Sequence, residues 1–314
     1  MQIIKIMKKS FFTLSILSAA ISAMSMQFYC GEYDSANRNV KWSNCIWGNN
    51  VNFKTEPLKG KPGPADSVTV RPGNWNFEID GNYNVGTFHT GDGSTSIAKG
   101  RNFKVKRRIG ISIACYNAGM TKQKWERCSV EGGSYEVTFW TEAKSAGRAH
   151  LSLSDTKFNI KGDFICTIPA NPIIKNAIRA GMEVSLEGAS DMQFGGGAMI
   201  DSIIADENDQ WFFKWTFKEK DGKVPHALFN RRAQFAKCDI EVDVSDKVKS
   251  GKYGLIEFAD KRSGITAPRS VVVNGAEVKL GDTFKVGKRT GKVYLGAFGK
   301  DSKTENDLVL EISK

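Results

Sequence analysis

Residues 149–162 set the pattern of this chain. Ala149, Leu151 and Leu153 alternate with polar residues, a polar corner of Ser154, Asp155, Thr156 and Lys157 follows, and Phe158 and Ile160 resume the alternation before Gly162 ends it. Period-two alternation gives an extended strand one apolar face, so the stretch predicts strand, turn, strand. The rhythm recurs upstream. Val68 with Val70, then Trp75, Phe77 and Ile79, then Val85 with Phe88, Phe103 with Val105, and Ile109, Ile111 and Ile113 predict short strands. Gly, Asn, Asp and Ser at 71–74, 80–82 and 89–96 supply the turns between them. Strands this short and turns this close suit a β-solenoid or a β-sandwich.

An internal comparison favours the solenoid. Leu151-Ser-Leu153 followed by Phe158-x-Ile160 recurs as Val184-Ser-Leu186 followed by Met192-x-Phe194, with Leu153 and Leu186 33 residues apart. Such self-similarity marks stacked repeats. Between the copies, apolar positions 173, 174, 177 and 178 predict a short helix looping off the stack, stopped by Gly181. Gly195-Gly196-Gly197 lacks the Lys-Ser/Thr of a phosphate loop and predicts a tight corner, where glycine reaches positive φ at low cost. Trp211, Phe213, Trp215 and Phe217 share one strand face and oppose Lys214, Thr216 and Lys218, which predicts core packing for the aromatic face. A sugar-stacking platform is the functional alternative there. Past Cys238 the rhythm changes. Ile240 to Val244, the strand 252–258, an Asn274-Gly275 hairpin and apolar pairs up to Leu308 and Leu310 predict a small antiparallel sheet.

Residues 1–25 stand apart. Lys5, Lys8 and Lys9 precede an apolar run at 11–20 and then the small residues Ser22, Ala23 and Ser25, the order of a secretory signal peptide. No later apolar run is long enough to span a bilayer, so the expected mature chain is exported and carries no transmembrane segment. Six cysteines follow the leader: Cys30, Cys45, Cys115, Cys128, Cys166 and Cys238. Export favours disulfides, and proximity suggests Cys30–Cys45 and Cys115–Cys128, leaving Cys166–Cys238, among roughly 15 possible connectivities. With no C-x-x-C pair and with His89, His150 and His226 scattered, no metal site is predicted, and no cofactor. Residues 26–64, with Trp42 and Trp47 beside the first two cysteines, predict a disulfide-pinned cap over the first coil. The solenoid then spans 65–245 and the C-terminal β segment 246–314.

The formal charge of +11 becomes +8 once the three leader lysines are removed. Such a surface favours anionic partners: acidic polysaccharide, lipopolysaccharide or the phospholipid headgroups of a cell envelope. Export argues against nucleic acid. Within Lys104-Val105-Lys106-Arg107-Arg108, alternation puts Lys104, Lys106 and Arg108 on one face as an anion-binding candidate. The plain alternative is a solvated face that discourages edge pairing. Asp201, Asp206, Glu207 and Asp209 could in principle cleave a glycosidic bond or hold Ca²⁺, but nothing in their spacing sets two of them across a substrate, and they read as an acidic loop. Arg231 and Arg232 qualify as the base of a lyase by residue type alone. No Gly-x-Ser-x-Gly elbow is present, and no catalytic residue is singled out.

The leader, the Asp66-Ser-Val-Thr-Val strand after a Pro/Gly loop, the coils around Leu151 and Leu186, and Gly251-Lys-Tyr-Gly-Leu-Ile followed by Val-Asn-Gly together resemble bacterial secreted β-helix proteins of the autotransporter-passenger type. The resemblance covers most of residues 65–314. It implies a right-handed parallel β-helix with a surface or adhesive role. The sequence offers no stretch for a translocator barrel and closes on Ile312-Ser313-Lys314, where such a barrel usually closes on an aromatic residue. The expectation is therefore a non-catalytic binding or adhesion protein, secreted, at the cell surface or in the periplasm, favouring anionic glycans. A polysaccharide lyase or glycoside hydrolase on the same scaffold, and a structural envelope component, are the alternatives.

Overall fold

The computed structural model describes residues 26–30, 39–49, 60–70, 76–91, 93–114, 120–140, 147–167, 180–200, 211–299 and 302–313. Within them the chain is all-β, with long parallel sheets and one short 3-10 turn at Trp42–Asn44. No helix among the described residues is long and apolar enough to cross a membrane. The leader lies outside them, as does the helix expected near 173–181 except for its end. There Ala180 and Gly181 open the strand Ala180–Glu187, so Gly181 starts a strand where a helix stop was expected.

One turn of the chain shows the plan. Arg148–Ser154 lies on one face, Asp155 and Thr156 turn a corner, Lys157–Ile160 lies on a second face, residues 161–163 turn again, and Phe164–Thr167 lies on a third. The next turn repeats this with Ala180–Glu187, Asp191–Phe194 and Ala198–Ile200, each paired in parallel with its counterpart. Two further turns follow, through Trp211–Lys218, His226–Phe229 and Gln234–Ala236, then Asp239–Asp243, Gly251–Phe258 and Gly264–Thr266. A sandwich would be antiparallel; parallel neighbours require a crossover, which here is the rest of the coil. The pairing is compatible with a β-helix or solenoid.

Register confirms the sequence repeat residue by residue. Leu151 faces Val184 and Leu153 faces Leu186, while Phe158 faces Met192 and Ile160 faces Phe194. All eight are buried, because a one-residue slip would turn every one of them to solvent. The core is a set of side-chain columns running along the stack. Phe194, Phe229 and Phe258 form one such column, with ring centroids 5.0 and 6.0 Å apart. Phe213, Trp215 and Phe217 point into the core as well, which selects packing over a sugar platform; the side chain of Trp211 is outside the description.

The two kinds of corner are built differently. Between the first and second faces, four successive coils each spend one left-handed residue: Gly100 (φ 75°), Arg127 (47°), Asp155 (48°) and Gly188 (65°). Hydroxyls fill the inside of that corner. Thr156 donates to the Trp125 and Ser154 carbonyls at 3.0 and 2.9 Å, and Ser190 to the Leu153 and Glu187 carbonyls at 3.0 and 2.7 Å. Polar groups in this buried position are tolerated because they satisfy carbonyls that the strands leave open.

The ends of the stack differ from its middle. Gln27–Cys30 pairs in parallel with Ser67–Val70 and Asn39–Lys41 with Asn76–Ile79, so the N-terminal piece supplies a coil of its own. The Cys30–Cys45 disulfide closes it. Trp42, fully buried, stacks on Tyr83 at 4.6 Å and touches Phe77, Phe88 and Phe103. At the other end Gly251–Phe258, already paired in parallel, takes Asp307–Ile312 antiparallel on its far side. Arg289–Gly296 and Thr283–Val286 then continue the antiparallel sheet. Asn274 (φ 51°) and Gly275 (80°) turn the expected hairpin between Ser270–Val273 and Ala276–Glu277.

Two expected disulfides are not formed. Cys128 is a buried thiol 3.7 Å from the Thr156 hydroxyl, and burial pushes it up to about 11. Cys238 is likewise a buried thiol, pushed up to about 12. The pairs Cys115–Cys128 and Cys166–Cys238 are thereby excluded; Cys115 itself lies outside the described residues. Cys166 sits mid-strand on the third face opposite Ile200, whereas Cys238 follows the end of Gln234–Ala236 at a corner, so the pair left over by elimination is not brought together by the winding.

Candidate functional site

The second type of corner, between the second and third faces, carries a run of exposed cations. It begins in the strand Asn102–Ala114, which is long enough to serve both faces. There a bulge sets Lys106 and Arg107 together against single residues on either side, Gly86 before and Gly133 after. The bulge breaks alternation: Arg107 shares parity with the buried Val105 and Ile109 yet is exposed. Its guanidinium donates to the Ala65 carbonyl (3.2 Å), the Ser67 hydroxyl (3.4 Å) and the Thr87 hydroxyl (3.3 Å), all neutral acceptors.

The corner climbs the stack by backbone contacts. Gly162 N donates to Gly133 O at 2.6 Å, Gly196 N to Gly162 O at 2.9 Å, and Arg231 N to Gly196 O at 3.0 Å. Ser263 extends it, with its hydroxyl 3.5 Å from Arg231 O and accepting Ala233 N at 2.9 Å. Glycine recurs here because the stacked backbones leave no room for a side chain. A Cβ on Gly133 would meet Arg107 O, and one on Gly197 would meet Arg232 O, at 2.0 and 1.9 Å. Gly195, Gly196 and Gly197 are thus a corner as expected, but none has positive φ; close approach is the reason for all three.

Lys106, Arg107, Lys161, Arg231, Arg232 and Lys261 lie along this corner, exposed, and none forms an ion pair among the described residues, although Arg232 is near enough to Asp260 to help lower its pKa. Several neighbouring charges are paired. Lys104 and Arg108 pair with Glu131 and Glu136 at 3.2 Å, because parallel register places those glutamates on the neighbouring strand. Of the three cations expected to form an anion-binding stripe, only Lys106 remains uncompensated. Arg262 grips Asp260 through two hydrogen bonds and holds that carboxyl down at about 2. Asp163 gives one oxygen to Gly197 N at 2.8 Å.

Beside the corner, on the third face, the strand Ala198–Ile200 floors an open groove of about 450 Å³. Arg231, Arg232 and Gln234 line one side and Asp163 the other. Met199 is 55% exposed, one of few large apolar side chains in that state among the described residues. The structure thus brings Arg231 and Arg232 together with Lys106 and Arg107, which the sequence separates by over a hundred positions. Arg107, Lys161, Lys261 and Met199 escaped the sequence reading. The recurring glycine one coil apart was their only trace.

The remaining candidates lie elsewhere. Asp201, Asp206, Glu207 and Asp209 are outside the described residues. His150 is half-buried on the first face, 3.1 Å from the Ser185 hydroxyl, and burial with Lys122, Lys214 and Lys218 nearby outweighs Glu183 and lowers its pKa. His226 sits on the second face between Asp191 (3.3 Å) and Glu257 (3.0 Å). Burial opposes its imidazolium, but Glu257 and Asp191 outweigh burial and raise the pKa. His89 is half-buried beside Gly110. Among the described residues no group of three His, Cys, Asp or Glu is arranged to hold a metal ion. Comparison of the chain with known protein families, with characterised proteins and with solved structures finds no match.

Proposed function

We propose that this chain is an exported, non-catalytic binding protein for acidic polysaccharide, built as a right-handed parallel β-helix and acting outside the cell or at its surface. The observation that carries the reading is the corner column. Six exposed cations that form no ion pair among the described residues follow one edge of the stack, where strand spacing of about 4.8 Å repeats along its length. A linear polyanion lying along that edge meets successive charges and, at Gly133 and Gly195, backbone without a side chain. The signal-like leader and the formal charge of +11 support the same reading from the sequence.

The test is binding of the purified mature chain to acidic and neutral polysaccharides across a salt series, with release of reducing or unsaturated ends followed in parallel. Acidic polymer should bind and neutral polymer should not. Raising ionic strength from about 0.05 to about 0.5 M should weaken the interaction steeply, as exposed charges are screened. Salt-insensitive binding, or no binding to any polyanion, would sink the reading, and product release would replace it with an enzyme.

A further inference from the structure

We infer that the groove on the third face is a subsite for a single sugar unit bearing a carboxylate, so that the corner is selective for uronate-containing glycan over other polyanions. The inference rests on the reading above and narrows it.

The groove differs from the rest of the corner in what surrounds its charges. Lys106, Arg107 and Lys161 stand on open backbone, suited to any anion that passes. Arg231 and Arg232 instead edge a concavity whose floor is apolar, through Met199 and Ile200, and whose far side carries Asp163. Arg232 Nη2 donates to Gln234 Oε1 at 3.2 Å, which fixes the amide with its NH₂ directed to the Arg262 carbonyl at 2.9 Å. Asp163 spends one oxygen on Gly197 N and keeps the other as an acceptor. A ligand that satisfies this set needs an anionic group for the guanidinium forks, hydroxyls for the Asp163 carboxylate, and an apolar face to cover Met199. Planar carboxylate matches a guanidinium fork in two parallel hydrogen bonds. A pyranose uronate carries all three features in one ring. Polyphosphate has no apolar face and no hydroxyl, and leaves Met199 and Asp163 unused.

Sulfated sugars share the ring and the charge, so the experiment separates them. Calorimetric titrations of the mature chain would use an oligogalacturonate, its methyl ester, and dextran sulfate, with wild type and the variants Arg231→Ala/Arg232→Ala, Met199→Glu and Lys106→Ala/Arg107→Ala. The groove variants should weaken oligogalacturonate at least about tenfold more than they weaken dextran sulfate, which loses only general corner charge. The ester should bind as poorly as a neutral glycan. Lys106→Ala/Arg107→Ala should weaken both polyanions alike. All altered side chains are exposed, and unchanged thermal unfolding would certify the fold. If wild type binds oligogalacturonate and both groove variants match it, or if they lower both ligands equally, the subsite is overturned and the non-selective corner stands. If wild type binds neither polyanion, the parent reading falls with it.

Discussion

At the scale of single residues, the corner glycines and His226 make the sharpest claims. Gly133→Ala forces a methyl into the Arg107 carbonyl, so unfolding in urea should show a loss of about 2–3 kcal/mol. Gly100→Ala is the control. Its φ of 75° makes alanine strained, but the space around it is open, and the cost should be only about 1 kcal/mol. His226 carries a pH prediction. Its folded pKa lies above the ordinary value of 6.5, so its contribution to stability is complete below that value and is lost as pH rises through the folded one. The stability gap between wild type and His226→Gln should therefore be larger near pH 5.5 than near pH 9, both values being approximate bounds of that window. A gap independent of pH would show that Asp191 and Glu257 do not hold the imidazolium. Inward residues such as Leu151 and Phe158 were legible because alternation has only one competing register. Arg107 was not, since a bulge reverses parity exactly once and nothing local in Lys-Arg-Arg announces it.

At the scale of elements, the strand pairs were legible wherever a coil kept its polar corner short. Leu153 and Leu186 could be matched by eye because Asp155 and Gly188 turn the same corner in both copies. Coil lengths vary elsewhere, with Thr95 meeting Gln123 but Trp215 meeting Ile240, so the cations at 107, 161, 231 and 261 align only once the coils are counted. The disulfides divide on the same ground. Cys30 and Cys45 belong to one coil and join, whereas Cys128 and Cys238 face their own interiors. Alkylation of the native protein should leave Cys128 and Cys238 unmodified, and denaturation without reductant should expose both. Either thiol found in a disulfide by peptide mapping would refute the assignment. The N-terminal coil also depends on Trp42, and Trp42→Ala should cost about 3–5 kcal/mol in chemical unfolding, with the coil at 26–49 becoming the first site of proteolysis.

At the scale of the whole molecule, net charge was readable from composition, but its location was not. Ion pairs across neighbouring strands, such as Lys214 with Glu241 and Lys218 with Asp243, offset part of the first face's charge, while Lys106, Arg107, Lys161, Arg231, Arg232 and Lys261 stand in no such pair along the corner. Composition gives the sum of charge, and only the winding of the chain sets which charges share an edge. Strand ends matter for a different reason. Among the described residues the outermost strands are Asn39–Lys41, Trp47–Gly48, Ala276–Glu277 and Thr283–Val286, two to four residues each, with Lys41 and Lys285 on them. A longer, bare edge at either end would accept the next molecule and the stack would concatenate into a filament. Among the described residues, edges this short offer few backbone bonds to a second copy, which disfavours end-to-end growth.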